Sequence, residues 1–192
     1  MDDGGVRGAM VAEGDPRSIR PFAWRGIAYL IVFLPVALGC IPWAFFAAWE
    51  RFGPDGSGVV RFGPFWMGIC SALGVTVFAI GFTAYLYCSI WLMYYGRGPH
   101  VEFDPPTRLV VSGPYRWVRN PVAAAVIVMI VGEAIYFRSP GIVVLSVLLA
   151  PLAHYQVKRV EEPRLRLRFG DEYVGYCHAV PRWIPRWNQG RG

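Results

Sequence analysis

From Pro64 to Tyr95 the chain runs without a single charged side chain. At about 1.5 Å per residue this stretch forms a helix roughly 48 Å long, more than the ~30 Å hydrocarbon core of a bilayer requires. Such a helix must tilt, bend near Gly74 or Gly81, or project into water. Three further runs share its character. Gly26 to Trp49 is uncharged, with kinks predicted at Pro35 and Pro42. Pro121 to Phe137 is interrupted only by Glu133, and Gly141 to Val157 only by His154. The chain is 55% apolar and 17% charged, too little charge for an ordinary soluble domain. The reading is an all-α integral membrane protein with four transmembrane helices.

The sequence "RSPG", Arg138 to Gly141, reads as a tight turn, making the last two spans an antiparallel hairpin. Four spans put both termini on one side. Sixteen of the 19 lysines and arginines then fall on that side, and only Arg51, Arg61 and Arg138 on the other. The positive-inside rule places the termini and the 96–120 loop in the cytoplasm, and the expected location is a bacterial inner membrane. The net charge of +6 is accounted for by this topology, not by nucleic acid. The whole chain, 1–192, reads as one domain. Its first 23 residues are predicted to be a flexible tail, without the short apolar region of a cleavable signal peptide. Cys40, Cys70, Cys88 and Cys177 form no CxxC pair, so neither a disulfide framework nor a metal site is expected.

Chemistry-bearing residues gather at the cytoplasmic ends. In "SGPYRWVRNP", Ser112 to Pro121, Asn120 is a good N-cap and Pro121 a good first helical residue. The third span therefore begins there, with its free N–H groups and positive dipole end in the interface. Arg116 and Arg119 add full charges, giving a candidate anion pocket. Trp117 reads as a headgroup anchor. In "VKRVEEPRLRLRFGDEY", Glu161 and Glu162 are predicted in the last turn of a helix before Pro163, where carboxylates oppose the macrodipole. An ion pair with Lys158 or Arg159 is the alternative account of them. Past Pro163, Leu165, Phe169, Tyr173 and Tyr176 share one helical face, with Arg164, Arg166 and Arg168 on the others and Trp183 and Trp187 suited to a headgroup belt. This predicts an interfacial segment lying over the cytoplasmic mouth as a lid. Gly96-Arg97-Gly98 allows close backbone approach but lacks a Rossmann context. Two ionisable residues lie within spans. Seven residues separate His154 from Glu161, so both should share a face, and His154 is a candidate to line a pocket. Glu133 is too deep for that and reads as a structural group hydrogen-bonded within the bundle.

The pieces "LVVSGPYRWVRNP", a helical hairpin, and "EEPRLRLRFGDEYVGYCHAVPRWIP" resemble the membrane methyltransferases typified by isoprenylcysteine carboxyl methyltransferase and by the phosphatidylethanolamine N-methyltransferases. The likeness covers about Gly96 to Pro185 and not the first two spans. It implies S-adenosylmethionine held at the cytoplasmic ends of the last spans, with residues 96–185 as the cofactor-binding half. The family's Arg-His-Pro appears as Arg119-Asn120-Pro121, and Asn120 cannot carry a proton at neutral pH. The paired glutamates match Glu161-Glu162, and the Gly-x-Gly of the phospholipid enzymes corresponds to Gly96-Arg97-Gly98. The implied cofactor set is Gly96, Gly98, Tyr115, Arg116, Arg119, Asn120, Pro121, Glu161, Glu162 and Tyr173. Arg119, Glu161 and His154 are the catalytic candidates, and no metal is implied. Tyr115 or Tyr173 would face the sulfonium. The acceptor is expected to be a lipid reached from the bilayer: a phospholipid amine first, a prenylcysteine carboxylate second, a small thiol third. A reductase of similar architecture using NADPH is the rival enzyme class. A channel or transporter would leave the clustered cytoplasmic motifs unexplained, and a haem carrier lacks paired axial histidines within the spans.

Overall fold

A computed structural model describes residues 31–54, 58–96 and 107–185. Among these the fold is entirely helical. Helix α1 is Ile31–Phe52, α2 is Pro64–Gly96, α3 is Pro121–Phe137 and α4 is Pro140–Gln156. A wide turn, Val157–Glu161, joins α4 without interruption to α5, Glu162–Ala179. Among the described residues three helices are long and apolar enough to cross a membrane: α1, α2 and the Pro140–Ala179 run, which is kinked at Gly170. With 17 residues α3 falls below the usual ~20-residue span, although it is apolar throughout except for Glu133. Leu73, Ile80, Val147, Leu148 and Leu152 are exposed on the outside of the bundle, as lipid contact requires.

Residues 26–30 of the predicted first span lie outside the described residues. Within α1 the two prolines act together. The helix widens to a π turn at Val36–Cys40, between Pro35 and Pro42, where the Ile41 N–H donates to the Val36 carbonyl. Widening is the usual answer to a proline ring that would collide with the carbonyl one turn back.

The long second helix is unbroken. Its glycines Gly74 and Gly81 form the seam on which α3 packs. A β-carbon on Gly74 would lie 2.5 Å from the Tyr136 nitrogen. One on Gly132 would lie 2.6 Å from the Phe78 nitrogen, and one on Gly81 2.9 Å from the Met129 nitrogen. The pairs 74–136, 78–132 and 81–129 run in opposite senses, so α2 and α3 are antiparallel. Between apolar helices in lipid there is little hydrophobic drive, and close backbone approach supplies the packing energy instead. The turn at Arg138 and Ser139 forms as predicted: Arg138 is left-handed (φ 53°), Ser139 Oγ accepts from the Ile142 N–H, and Pro140 opens α4. Gly141 then seats α4 against the Phe45 carbonyl of α1. Ile130, Ala134, Ile142 and Leu145 form the core there, covered by Leu38 and Phe45.

Glu133 is buried, as a bundle group should be, but its Oε2 finds no hydrogen-bond partner among the described residues. The expected bond within the bundle is therefore not made by that oxygen.

A further correction concerns Glu161 and Glu162. They do not end a helix. Pro163 lacks an N–H and its ring would strike the Arg159 carbonyl, yet the chain absorbs it by the wide turn, in which the Glu162 N–H reaches the Val157 carbonyl. Glu161 closes that turn and Glu162 opens the next α segment of the same run, so neither carboxylate sits at a free helix end. The true interruption comes later, at Gly170 (φ 54°, ψ −132°), a conformation only glycine adopts without strain.

Candidate active site

The ends of α2 and α3 that carry Tyr85 and Ala125, the start of α1, and the far end of α4 all meet at one end of the bundle. The described part of the segment between α2 and α3, residues 107–120, lies over them. It opens on bonds from the Thr107 and Arg108 N–H groups to the Gly96 carbonyl and runs into a short 3-10 turn at Gly113–Arg116. Gly113 is required there: it is left-handed (φ 58°), and any side chain would enter the Trp91 ring. Asn120 does occupy the N-cap position of α3 and Pro121 the first helical position, but the Asn120 side chain makes no capping bond. Only its backbone carbonyl takes part, accepting from the Ala124 N–H.

Helix α5 is turned onto this motif, so the face carrying Leu165, Phe169, Tyr173 and Tyr176 packs inward against protein. Tyr173, Tyr176 and Val180 form a buried cluster with Leu109. Three bonds fasten it down. The Tyr176 hydroxyl donates to the Tyr115 carbonyl at 2.6 Å, and the Arg119 N–H donates to the Pro181 carbonyl at 3.0 Å. The third is ionic: Glu162 Oε1 accepts from Arg119 Nη1 at 2.9 Å and from Arg182 Nε at 2.7 Å, while Oε2 accepts from the second Arg182 nitrogen at 2.9 Å. Arg119 and Glu162 are nearly buried, with 11% and 7% of their side chains exposed. Burial pushes the Glu162 carboxyl up, but the Arg182 hydrogen bond and the charges of Arg119 and Arg182 outweigh it and hold the group below its usual range. The same bond raises Arg182.

Beneath this layer lies a cavity of about 500 Å³. Its upper wall is polar and aromatic, with Tyr115, Arg119, Asn120, Glu161, Arg164 and Tyr173 among its residues. Its lower wall descends between α1, α3 and α4, past Val126, Ile130, Leu145 and Leu149. One void thus joins a charged mouth to hydrocarbon depth. Tyr115 is held well above its ordinary value by burial first, then by the neighbouring Cys88, Tyr176 and Glu161, so its phenol stays protonated at neutral pH.

Of the sequence-predicted residues, Tyr115, Arg119, Asn120, Pro121, Glu161 and Tyr173 line the cavity. Glu162 stands behind Arg119 as its counter-ion. Gly96 closes the loop through its carbonyl and is not in the wall, and Gly98 lies outside the described residues. Arg116 is exposed and stacks on Trp117, 4.8 Å from the ring centroid. His154 does not line the cavity; its Nδ1 accepts from Trp183 Nε1 at 3.1 Å. The wide turn after Gln156 shifts the helical phase, so His154 and Glu161 no longer share a face. Trp183 is half-buried against His154, and Trp187 lies outside the described residues. Arg182 and Cys177, whose Sγ lies 2.8 Å from Arg119 Nη1, were not foreseen as site residues.

The sequence profile of the phospholipid methyltransferase family matches residues 66–172, more than half of the chain. The chain belongs to that family. It is an integral membrane methyltransferase. The match reaches back through α2, further than the quoted motifs indicated, and stops just after Gly170, so α1, Cys177 and Arg182 lie beyond it. Membership in the phospholipid methyltransferase family sets aside the reductase reading. No curated protein and no solved structure matches the chain.

Proposed function

We propose that this family member transfers the methyl group of S-adenosylmethionine to the amine of a membrane phospholipid, in the cavity beneath α5. The observation that carries the reading is the continuity of that cavity, from the charged mouth at Arg119 and Glu161 to the apolar walls at Ile130 and Leu145. A lipid can lay its chain in the lower part while its headgroup meets the upper part.

The wall suits the cofactor. Arg119 Nε is buried and without a partner among the described residues, a donor in need of an acceptor. With the first-turn N–H groups of α3 it fits the cofactor's carboxylate. Tyr115, Phe169 and Tyr173 supply rings for a base and a sulfonium. When bound, the cofactor supplies an electrophilic methyl group; the chain's part is to align an acceptor with it and to exclude water. A phospholipid ammonium must shed a proton before it attacks, and Glu161 is the acidic residue in the wall that can accept it. Glu162, committed to two arginines, serves position rather than proton transfer.

Carboxyl methylation of a prenylcysteine is the second reading, favoured by one observation: among the described residues three arginines and one glutamate line the void. Purified protein in lipid nanodiscs, given methyl-labelled S-adenosylmethionine with phosphatidylethanolamine, a prenylcysteine or a thiol, separates them. Label in phospholipid is expected. Label confined to a base-labile prenylcysteine ester would replace the first reading with the second.

Four crossings with a cytoplasmic site belong to the same proposal. The described cations support it: Arg108, Arg119, Arg164 and Arg182 gather at the cavity end, whereas the opposite end carries Arg61 and Arg138 beside the 2.9 Å bond from the Val60 N–H to the Arg138 carbonyl. In a Cys-free background, R61C is expected to react with an impermeant maleimide from outside the cell and R168C only after permeabilisation. Ser139 is fully buried and unsuited to such labelling. The reverse pattern would invert the orientation.

A further inference from the structure

The cations of the cavity wall are unequally employed. Arg119 is neutralised from behind by Glu162. Arg108 and Arg164 also line the cavity, and among the described residues neither guanidinium has a hydrogen-bond or ion-pair partner. The two come from separate segments brought to one layer: Leu109, next to Arg108, and Leu165, next to Arg164, both pack on the Tyr173–Tyr176–Val180 cluster. Among the described residues Glu161 is the one acidic side chain in that wall. Among the described residues the mouth thus presents Arg108 and Arg164, without protein partners, and the carboxylate of Glu161, above an apolar trough.

We infer that Arg108 and Arg164 together bind the phosphodiester of the lipid substrate and so fix the headgroup with its amine toward Glu161. The inference rests on the phospholipid reading above. Two forked guanidiniums on one phosphate make charge-assisted bonds whose direction a flexible lysine would not impose. A zwitterionic headgroup has one anionic and one cationic centre, matching two arginines and one carboxylate. A prenylcysteine whose amine is acylated, as at the end of a peptide, has a carboxylate but no cation, and would leave Glu161 facing an anion. The arrangement also assigns selectivity: the arginines hold the group that does not react, and their binding energy is spent on orientation of the one that does.

The test uses the full chain in detergent micelles and two kinds of readout. In binding, a short-chain phosphatidylcholine (a phosphodiester lipid whose methylation is complete) is titrated into wild type, R108Q/R164Q and R168Q, with inorganic phosphate and a fatty carboxylate as comparison ligands. The double variant is expected to bind the phosphodiester lipid at least about tenfold more weakly, while R168Q, at a residue as exposed as Arg108 and Arg164 but off the cavity wall, binds as wild type. In turnover, the double variant is expected to raise KM for a phosphoethanolamine lipid and to leave KM for a long-chain primary amine without phosphate where it was. Equal weakening by R168Q would reduce the effect to general attraction of the charged surface and overturn the site. Inorganic phosphate binding as well as the lipid would make it a free-phosphate site, and preference for the fatty carboxylate would overturn the phosphodiester assignment. Unaltered lipid affinity in R108Q/R164Q overturns it outright. If no amino lipid is methylated even by wild type, the phospholipid reading fails, while the binding arm still decides the anion site.

Discussion

Replacing Arg119 by alanine is expected to weaken S-adenosylhomocysteine binding by about 1.5–3 kcal/mol, the usual worth of one charge-assisted contact, and to lower methyl transfer at least as far. Arg119 Nε has no acceptor among the described residues, and on the proposed reading its wall position faces the cofactor. Glu162 would not be stranded in this variant, because Arg182 still meets both of its oxygens. E162Q is the mirror case. It leaves Arg119 and Arg182 without a counter-charge at a nearly buried position, where stripping one partner from an ion pair costs about 3–5 kcal/mol. R119A should therefore lose more affinity than thermal stability, and E162Q more stability than affinity. Calorimetric titration and thermal unfolding in the same detergent give both quantities. Wild-type affinity in R119A would remove the arginine from the cofactor site.

The largest structural effect is expected at the glycine seam. A valine at Gly132 must push α3 away from the Phe78 backbone, and one at Gly74 must push α2 away from Tyr136. In both cases the obstacle is main chain, which cannot rotate aside as a side chain can. Overpacking of this kind ordinarily costs about 1–3 kcal/mol, and backbone collisions belong at the upper end. G74V and G132V are each expected to shift the protein to aggregates in size-exclusion chromatography, whereas G68V, where a β-carbon meets nothing within 4 Å, should run as wild type. Monodisperse, ligand-binding G132V would show that the helices separate without penalty.

Much of this site was legible beforehand, for reasons that can be named. The hydrocarbon runs fixed the number and approximate extent of the helices because a bilayer tolerates few charges. "RNP" located the start of α3 because a proline without an N–H belongs where no N–H is needed. The spacing of Leu165, Phe169, Tyr173 and Tyr176 identified the inward face of α5. Other parts depended on contacts between distant segments. The role of Gly74 and Gly132 emerged only from their being opposite each other's helices. Arg182 carried no signal at all, since an arginine in a basic tail looks the same whether it meets lipid headgroups or Glu162. Glu161 and Glu162 differ from the sequence expectation for a local reason: a proline ordinarily stops a helix, and here the chain accommodates it with a wider turn. That extra width also moved His154 off the cavity wall.

The lash between Arg119, Glu162 and Arg182 sets the order in which the protein can mature. Its members are separated by 43 and 20 residues, and Tyr176 reaches back 61 residues to Tyr115. A nascent chain that has made its first three helices already owns the glycine seam and can insert in the membrane. It owns no roof over the cavity until residues 176 to 182 have been synthesised and have folded back. Insertion and the ability to bind ligand are therefore acquired at different moments, and a product cut short after Phe169 would be a stably embedded bundle without a closed active site.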